Sequence, residues 1–411
     1  MEALRALRPA LNSSIIAAAS WFHNATASSK RLHYAFHPES GRWEDRPCPI
    51  RDMGTAADLA VLQRHLADRR QFDEVIESTV QHYTGLLVQR GEGTSHPFCY
   101  LAAGRRGLGE GSSVAHSAML LLGLAAWEGH PQQTERRRLM AQLAQGIVQQ
   151  QRKDGSLQAS AWGGVYAAPH CTRQLIAIPN LPPFRQIYFE PENHFDSGWQ
   201  LYGGEAAYAL AVAYGQLGDG RLLDAASHAL WAYREMYQRD RVDQEELVFF
   251  ANWQLQAAAA VHRHAAGDPD LRRGLAAYLR ELQNDVIESR FFADVAAAPE
   301  RQATVEVACA LEGLVHCLQA SLAQAASEQM GSGGAAAAES ERHQVYADCA
   351  LVAVRFLLEA QVKAAPGVPG ASVGGFGHTQ RAKSGQRVDV TGHVVCAFIK
   401  LLEILDQQAE E

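Results

Sequence analysis

Apolar and polar residues follow two alternating helical patterns along the chain. Runs such as Met119-Leu120-Leu121-Leu122 and the stretch 394–402 are apolar around most of a helix circumference, so the helices that carry them are buried on most sides. Residues 70–87, 132–151 and 221–238 instead place apolar side chains at helical spacing with charges between them, as helices with one wet face do. The two kinds take turns, joined by loops rich in Gly, Pro and aromatic residues. This unit of roughly 55 to 75 residues fits six times into the 411 residues. The second helices open at Gly54-Thr55-Ala56-Ala57, Gly111-Ser112-Ser113, Gly203-Gly204-Glu205-Ala206-Ala207, Asp243-Gln244-Glu245, Ala303-Thr304-Val305-Glu306 and Val388-Asp389-Val390-Thr391.

Six hairpins of this kind predict an all-α fold, one (α/α)6 toroid over 1–411, with the apolar second helices as an inner ring and the amphipathic first helices outside. Gly218-Asp219 and Gly267-Asp268 are the predicted turns between hairpins, a left-handed glycine ending one helix and an aspartate capping the next. Gly331-Ser332-Gly333-Gly334, followed by four alanines, is a low-complexity stretch expected to form a surface loop over about 328–340.

At the N-terminus, Leu11, Ile15, Ala18, Ala19 and Phe22 repeat at helical spacing, which makes this segment part of the fold. The first 38 residues also carry Arg5, Arg8, Lys30 and Arg31 against the single acid Glu2, as organelle transit sequences do. The expected location is the cytoplasm, with organellar import as the other option. Seven cysteines form no Cys-x-x-Cys pair, which fits buried thiols in a reducing compartment. The formal charge of -8 is spread along the chain without a basic block, which argues against nucleic acid as a partner. No uninterrupted run of about eighteen apolar residues occurs, so no membrane-spanning helix is expected.

Two segments sharpen the picture. One reads Gln151-Arg152-Lys153-Asp154-Gly155-Ser156, and the other runs from Gln361 to Gly374-Gly375-Phe376-Gly377. They resemble the Gln…Asp-Gly-Ser and Gln…Gly-Gly-Phe elements of the α/α-toroid superfamily, which includes six-hairpin glycosidases, terpene cyclases and protein prenyltransferases. The resemblance spans nearly the whole chain and implies fold more than activity. The Asp-x-Asp-Asp and Asp-Asp-x-x-Asp motifs of terpene chemistry are absent. Arg387, Asp389, His393 and Cys396 resemble the last repeat of prenyltransferase β subunits, where a histidine binds zinc, but the matching upstream Asp and Cys are not evident. Neither a metal nor another cofactor is expected.

In a toroid of this kind the long loops leading into the inner helices gather at one end, and loop length then marks the working face. The longest, about 153–202, far exceeds ordinary connections. It supplies the substrate-binding candidates Trp162, Arg185, Tyr188, Glu192, His194, Asp196 and Trp199, to which Trp253 and Arg387 are added. Indole and phenol rings suit the C–H faces of sugars, and carboxylates and guanidinium groups suit their hydroxyls. Glycoside hydrolysis needs two carboxylates, and Asp52, Glu110, Glu205, Glu245, Glu306 and Asp389 fall near the inner-helix N-termini. Glu205 and Asp389, in units three and six, are the catalytic candidates, with His393 one turn on from Asp389 as a proton shuttle; first-turn acids also act simply as caps. The expected function is acid/base chemistry on an oligosaccharide or uronic-acid-containing glycan, by hydrolysis, elimination or epimerisation, with a carbohydrate or another small molecule as ligand. A non-catalytic binding or scaffold toroid is the alternative, and an isoprenoid-handling enzyme a lesser one.

Overall fold

The computed structural model describes residues 1–94, 96–102, 112–129, 132–158, 199–240, 242, 244–328, 333–380 and 384–410. In chain order its helices are α1 (Glu2–Ala6), α2 (Arg8–Asn24), α3 (Pro49–His65), α4 (Asp73–Thr84), α5 (Ser113–Ala126), α6 (Gln133–Val148), α7 (Trp199–Leu217), α8 (Gly220–Asp240), α9 (Gln244–His264), α10 (Pro269–Glu288), α11 (Phe291–Ala297), α12 (Thr304–Glu328), α13 (Gly333–Ala360) and α14 (Val388–Glu410). Short strands β1 (Ala35–His37), β2 (Arg42–Glu44), β3 (Val88–Arg90), β4 (Phe98–Tyr100) and β5 (Gln386–Arg387) sit in the loops. The chain divides into two compact units: Met1–Arg46, Asp58–Ser78 and Asp243–Glu411 form the first, and Pro47–Ala57 and Thr79–Val242 the second.

In the first unit α12 is central, lying against α9, α10, α13 and α14, while α14 also packs on α2. Val307, Leu311, Leu314 and Leu318 of α12 and Val394, Phe398, Leu401 and Leu402 of α14 are buried, each contributing about 1.5–3 kcal/mol by leaving water. A side chain at Gly313 would press on Leu255 and on the backbone of Asn252, so the glycine sets how closely α9 and α12 approach. Strands β2, β1 and β5 form an antiparallel sheet with Phe36 opposite both Trp43 and Gln386. Its last strand runs straight into α14, and Val388 N donates to Tyr34 O at 3.2 Å, which anchors that helix start.

In the second unit α5 is buried along almost its whole length between α6 and α7, and α7 packs on α8. Ser112 caps α5 by accepting from Ala115 N, and Arg136 reaches from α6 to its other end, donating to Leu124 O at 2.9 Å and Trp127 O at 3.2 Å. The guanidinium thereby satisfies free carbonyls at the negative end of the helix dipole.

The two Gln-Gly motifs have a physical explanation, because each forms the same latch. Gln151 Nε2 donates to Gly155 O (3.0 Å) and to Ala225 O of α8 (2.8 Å); Gln361 Nε2 donates to Gly374 O (2.9 Å) and to Ser14 O of α2 (2.8 Å). Gly155 (φ +92°) and Gly374 (φ +95°) are left-handed, and a Cβ at either would overlap a carbonyl oxygen three residues beyond the acceptor, of His228 or of Ala17. The glutamine thus ties its own loop to the next amphipathic helix in space, and in the last repeat that helix is α2 near the N-terminus.

Several boundaries differ from the pattern. Helices α3 and α7 begin at Pro49 and Trp199, ahead of their small-residue openings, Pro49 being well suited to a first helical position. Helix α13 reaches back to Gly333, through four alanines expected to lie in a loop, because alanine favours helix wherever a neighbouring helix already exists. Gly218 is left-handed (φ +74°) and Gly267 is not, although Asp268 does cap α10 by accepting from Asp270 N and Leu271 N. Thr304–Leu322 of α12 is long and apolar enough to cross a membrane by length and composition, although polar residues interrupt it; 72% of it is buried inside the protein, as in a core helix. In α2, Leu11, Ile15, Ala18, Ala19 and Phe22 are all buried.

Candidate functional site

Within the first unit, α14, α12 and α9 each bring polar side chains together on one helix face. On α14 Asp389, His393, Cys396 and Lys400 follow at four-, three- and four-residue steps, which places them along one face. On α12 Cys309 and Glu312, and on α9 Asn252 and Gln256, share a face in the same way. Asp58 comes from α3. The stripes meet. His393 Nδ1 is 2.8 Å from Glu312 Oε2, and Lys400 Nζ donates to Glu312 Oε1 at 3.4 Å and to Gln256 Oε1 at 2.9 Å. Gln256 Nε2 in turn donates to Asn252 Oδ1 at 3.0 Å. Cys396 Sγ donates to Asp58 Oδ1 at 3.3 Å, and a Cβ at Gly392 would overlap Asp58 Oδ2, so the carboxylate reaches this position only because α14 has a glycine there.

Burial and neighbouring charge drive these groups apart. Burial raises the Asp58 carboxyl to about 6, with the charge of Glu312 adding to the effect and His393, the Cys396 hydrogen bond and Lys400 opposing it. Burial also works against the charge on Glu312, but Lys400 and His393 overcome it and hold this carboxyl below its ordinary value. For His393, burial favours the neutral ring; the charge and hydrogen bond of Glu312, with Asp58 and Asp389 beyond, outweigh that and raise it to about 9. The thiols of Cys309 and Cys396 are pushed up by burial, so neither is a ready nucleophile. The imidazole of His393 keeps 20% of its side-chain surface and Lys400 18%, against 4% for Glu312, and Asp58 is half-buried. The donor groups therefore keep some exposed surface, and Glu312 almost none.

Cys309, Glu312 and His393 bring possible ligand atoms within 4.8 Å of one another, a donor set of the kind that holds a soft divalent cation. A cation entering there would have to replace the His393–Glu312 hydrogen bond beside a resident ammonium. The ammonium already bonded to Glu312 disfavours a second cation at that carboxylate.

Of the residues singled out from sequence, His393 lies at the centre of this cluster, and Trp253 meets its ring edge-on at 6.2 Å. Asp389 is held by a two-point ion pair from Arg387, Nε at 3.0 Å and Nη2 at 2.9 Å. Glu205 is buried on α7 in the second unit, where the room left by Gly203 is filled by the ring of Tyr233 rather than kept for a ligand. Trp199, also buried, stacks on Tyr233 at 5.9 Å, so one face of its indole is used in packing. Asp52 accepts from Tyr83 OH at 2.5 Å in the second unit. Trp162, Arg185, Tyr188, Glu192, His194 and Asp196 lie outside the described residues, as does Glu110. Asp58, Glu312 and Lys400 were not singled out from sequence. The available signal was a charge repeated at helical spacing on an apolar helix.

No protein-family model matches the chain, and no curated protein matches it in sequence. Solved structures do match. An unsaturated glucuronyl hydrolase specific for heparin superposes with a TM-score of 0.54 at 10% identity, over 97% of this chain and 98% of that one. A sugar epimerase from a ruminal bacterium superposes with a TM-score of 0.57 at 11% identity, over 97% and 98%. At such identity the likeness is one of fold, and the fold is the all-α toroid of the six-hairpin glycosidase type.

Proposed function

We propose that the protein is a carbohydrate-active enzyme that works on an oligosaccharide or uronic-acid-containing glycan by acid/base chemistry at the Asp58–Glu312–His393 group. One arrangement carries this reading: Asp58 and His393 lie partly exposed in one cluster whose burial and charges drive them to opposite sides of neutrality, Asp58 up to about 6 and His393 up to about 9. Between those values Asp58 is a carboxylate able to take a proton and His393 an imidazolium able to give one, which is the division of labour acid/base catalysis requires. Glu312 faces the other side of the imidazole and holds its charge and orientation. In hydrolysis Asp58 would take a proton from the attacking water while His393 protonates the leaving glycosidic oxygen. In elimination Asp58 would take the proton α to a uronate carboxyl as the bond to the β-oxygen breaks and His393 protonates that oxygen. In epimerisation a carbon-bound proton is removed by one group and returned on the other face by the other. Trp253 beside His393 offers a ring face to a sugar, and Arg387 with Asp389 offers a contact for a carboxylate or hydroxyl. The glucuronyl hydrolase and sugar epimerase folds support a sugar as ligand. Glu205 is kept as a second candidate carboxylate.

The test is a mass-spectrometric product scan with neutral and uronic oligosaccharides in heavy water, run beside Asp58→Asn and His393→Gln. Fragments carrying added water identify a hydrolase, unsaturated fragments a lyase, and deuterium at a sugar carbon without cleavage an epimerase. Each signal is expected to vanish in both variants. No product and no deuterium with any substrate would overturn the reading in favour of a binding or scaffold toroid.

A further inference from the structure

Helix α9 is buried almost all round. Between Glu246 and His262 only three of its side chains are not buried: Glu246 is exposed, and Phe249 and Trp253 are half-buried. They follow at steps of three and four residues, which lines them up along one side of the helix, and the next place on that line is Gln256. Exposure falls along the stripe, from a carboxylate near the helix start, past two aromatic rings one turn apart, to a buried amide.

Contacts fix the inner end of the stripe. Trp253 meets the ring of His393 edge-on at 6.2 Å, and Gln256 Oε1 accepts from Lys400 Nζ at 2.9 Å while its amide donates to Asn252. Beside these residues α9 packs closely on α12, where Gly313 makes room for Leu255 and the backbone of Asn252. Gln254, Leu255 and Gln256 are all buried, so the stripe stops there. A linear ligand lying on it has its end at Trp253 and His393 and leaves past Phe249 toward Glu246.

We propose that Phe249 is a specificity-determining residue of this site: its ring, one turn from Trp253, holds the second unit of a glycan whose terminal unit lies against Trp253 and His393. This rests on the sugar reading of the site. It adds a preference for chains of two or more units over single sugars.

Spacing, burial and chemistry agree on this. Four residues of α-helix rise about 6 Å, so successive rings of the stripe can meet successive units of an extended glycan. A phenyl ring that only closed the barrel would be enclosed, as Phe250 beside it is. Phe249 is not, and it stands on the same side of α9 as Trp253, where its ring suits the C–H face of a sugar. Glu246, two turns from Trp253 and exposed, offers carboxylate oxygens to the hydroxyls of a unit further out.

The test is calorimetric binding to the full-length protein of glucose, cellobiose and cellotriose, and of galacturonic acid with its dimer and trimer. Wild type is compared with Phe249→Ala, Phe249→Leu and Phe249→Tyr. From monomer to dimer the wild type is expected to gain about tenfold or more in affinity. Phe249→Ala and Phe249→Leu are expected to lose most of that gain, the leucine because it fills space without a flat ring, and Phe249→Tyr to keep it. Phe249→Leu also serves if the alanine variant does not fold. Equal affinity of the wild type for monomer and dimer would overturn the proposal, as would a dimer gain that persists in folded Phe249→Leu. Absence of binding by every one of these sugars would overturn it too. Length-dependent binding without turnover would defeat the acid/base reading and leave the role of Phe249 standing, and turnover without length dependence would do the reverse.

Discussion

Asp58 and Glu312 are carboxylates that act on the same imidazole, yet their ionisation is driven in opposite directions. The difference is one of partners: Glu312 is bonded to two cationic groups, whereas Asp58 accepts from a thiol, a weak donor. For any acid/base reaction at this site the rate is expected to follow a bell, with limbs near the Asp58 and His393 values of about 6 and about 9. Gly392→Ala tests the acid limb, because its methyl group would displace the Asp58 carboxylate that a glycine admits. Activity should fall about tenfold or more and the acid limb should move. A variant with unchanged activity and pH profile would remove Asp58 from the mechanism.

At the scale of elements, the latches are what the Gln-Gly motifs encode. Gln361→Ala would leave the carbonyls of Ser14 and Gly374 without their donor in a buried place, at a cost of about 2–4 kcal/mol. Gln151→Ala should cost a similar amount in the second unit, because its amide makes the same two bonds. Gly374→Ala should be worse than either, since it adds left-handed strain and overlap with the Ala17 carbonyl. Denaturant midpoints of the three variants would check this, and a wild-type midpoint for Gln361→Ala would show that the latch is dispensable. The helices were legible in sequence because their pattern is local: burial along α2, α5, α12 and α14 follows side chains one turn apart. The alanines that begin α13 were expected in a loop, because composition does not say whether a neighbouring helix will extend through them.

For the whole molecule, the cluster links stability to pH. His393 is raised from 6.5 to about 9 on folding, so its contribution is fully present below 6.5 and is lost as pH rises to about 9. Asp58, raised from 3.8 to about 6, favours folding below 3.8 and loses that contribution as pH rises through 6. Glu312 is lowered and acts oppositely, stabilising above 4.5 and losing this as pH falls through its folded value. Between pH 6.5 and 9 His393 dominates, so the melting temperature should decline over that interval in the wild type and be nearly flat in His393→Gln. The same decline in the variant would mean that another group controls it.

Periodicity and turn chemistry were sufficient to fix an all-α chain of repeated hairpins, its apolar helices, and the glutamine-glycine loops, because all of these depend on residues close together along the chain. Sequence also marked His393 and Trp253, which stand out as chemistry-bearing side chains on apolar helices. It could not mark Asp58, Glu312 and Lys400 as partners, nor tell that Gly203 makes room for Tyr233 while Gly392 makes room for Asp58. Those facts depend on which faces of α3, α12 and α14 meet, and residues 58, 312 and 393 are brought together only by packing. The protonation states followed from the same step, since burial and the distance to a countercharge do not exist until the helices are assembled.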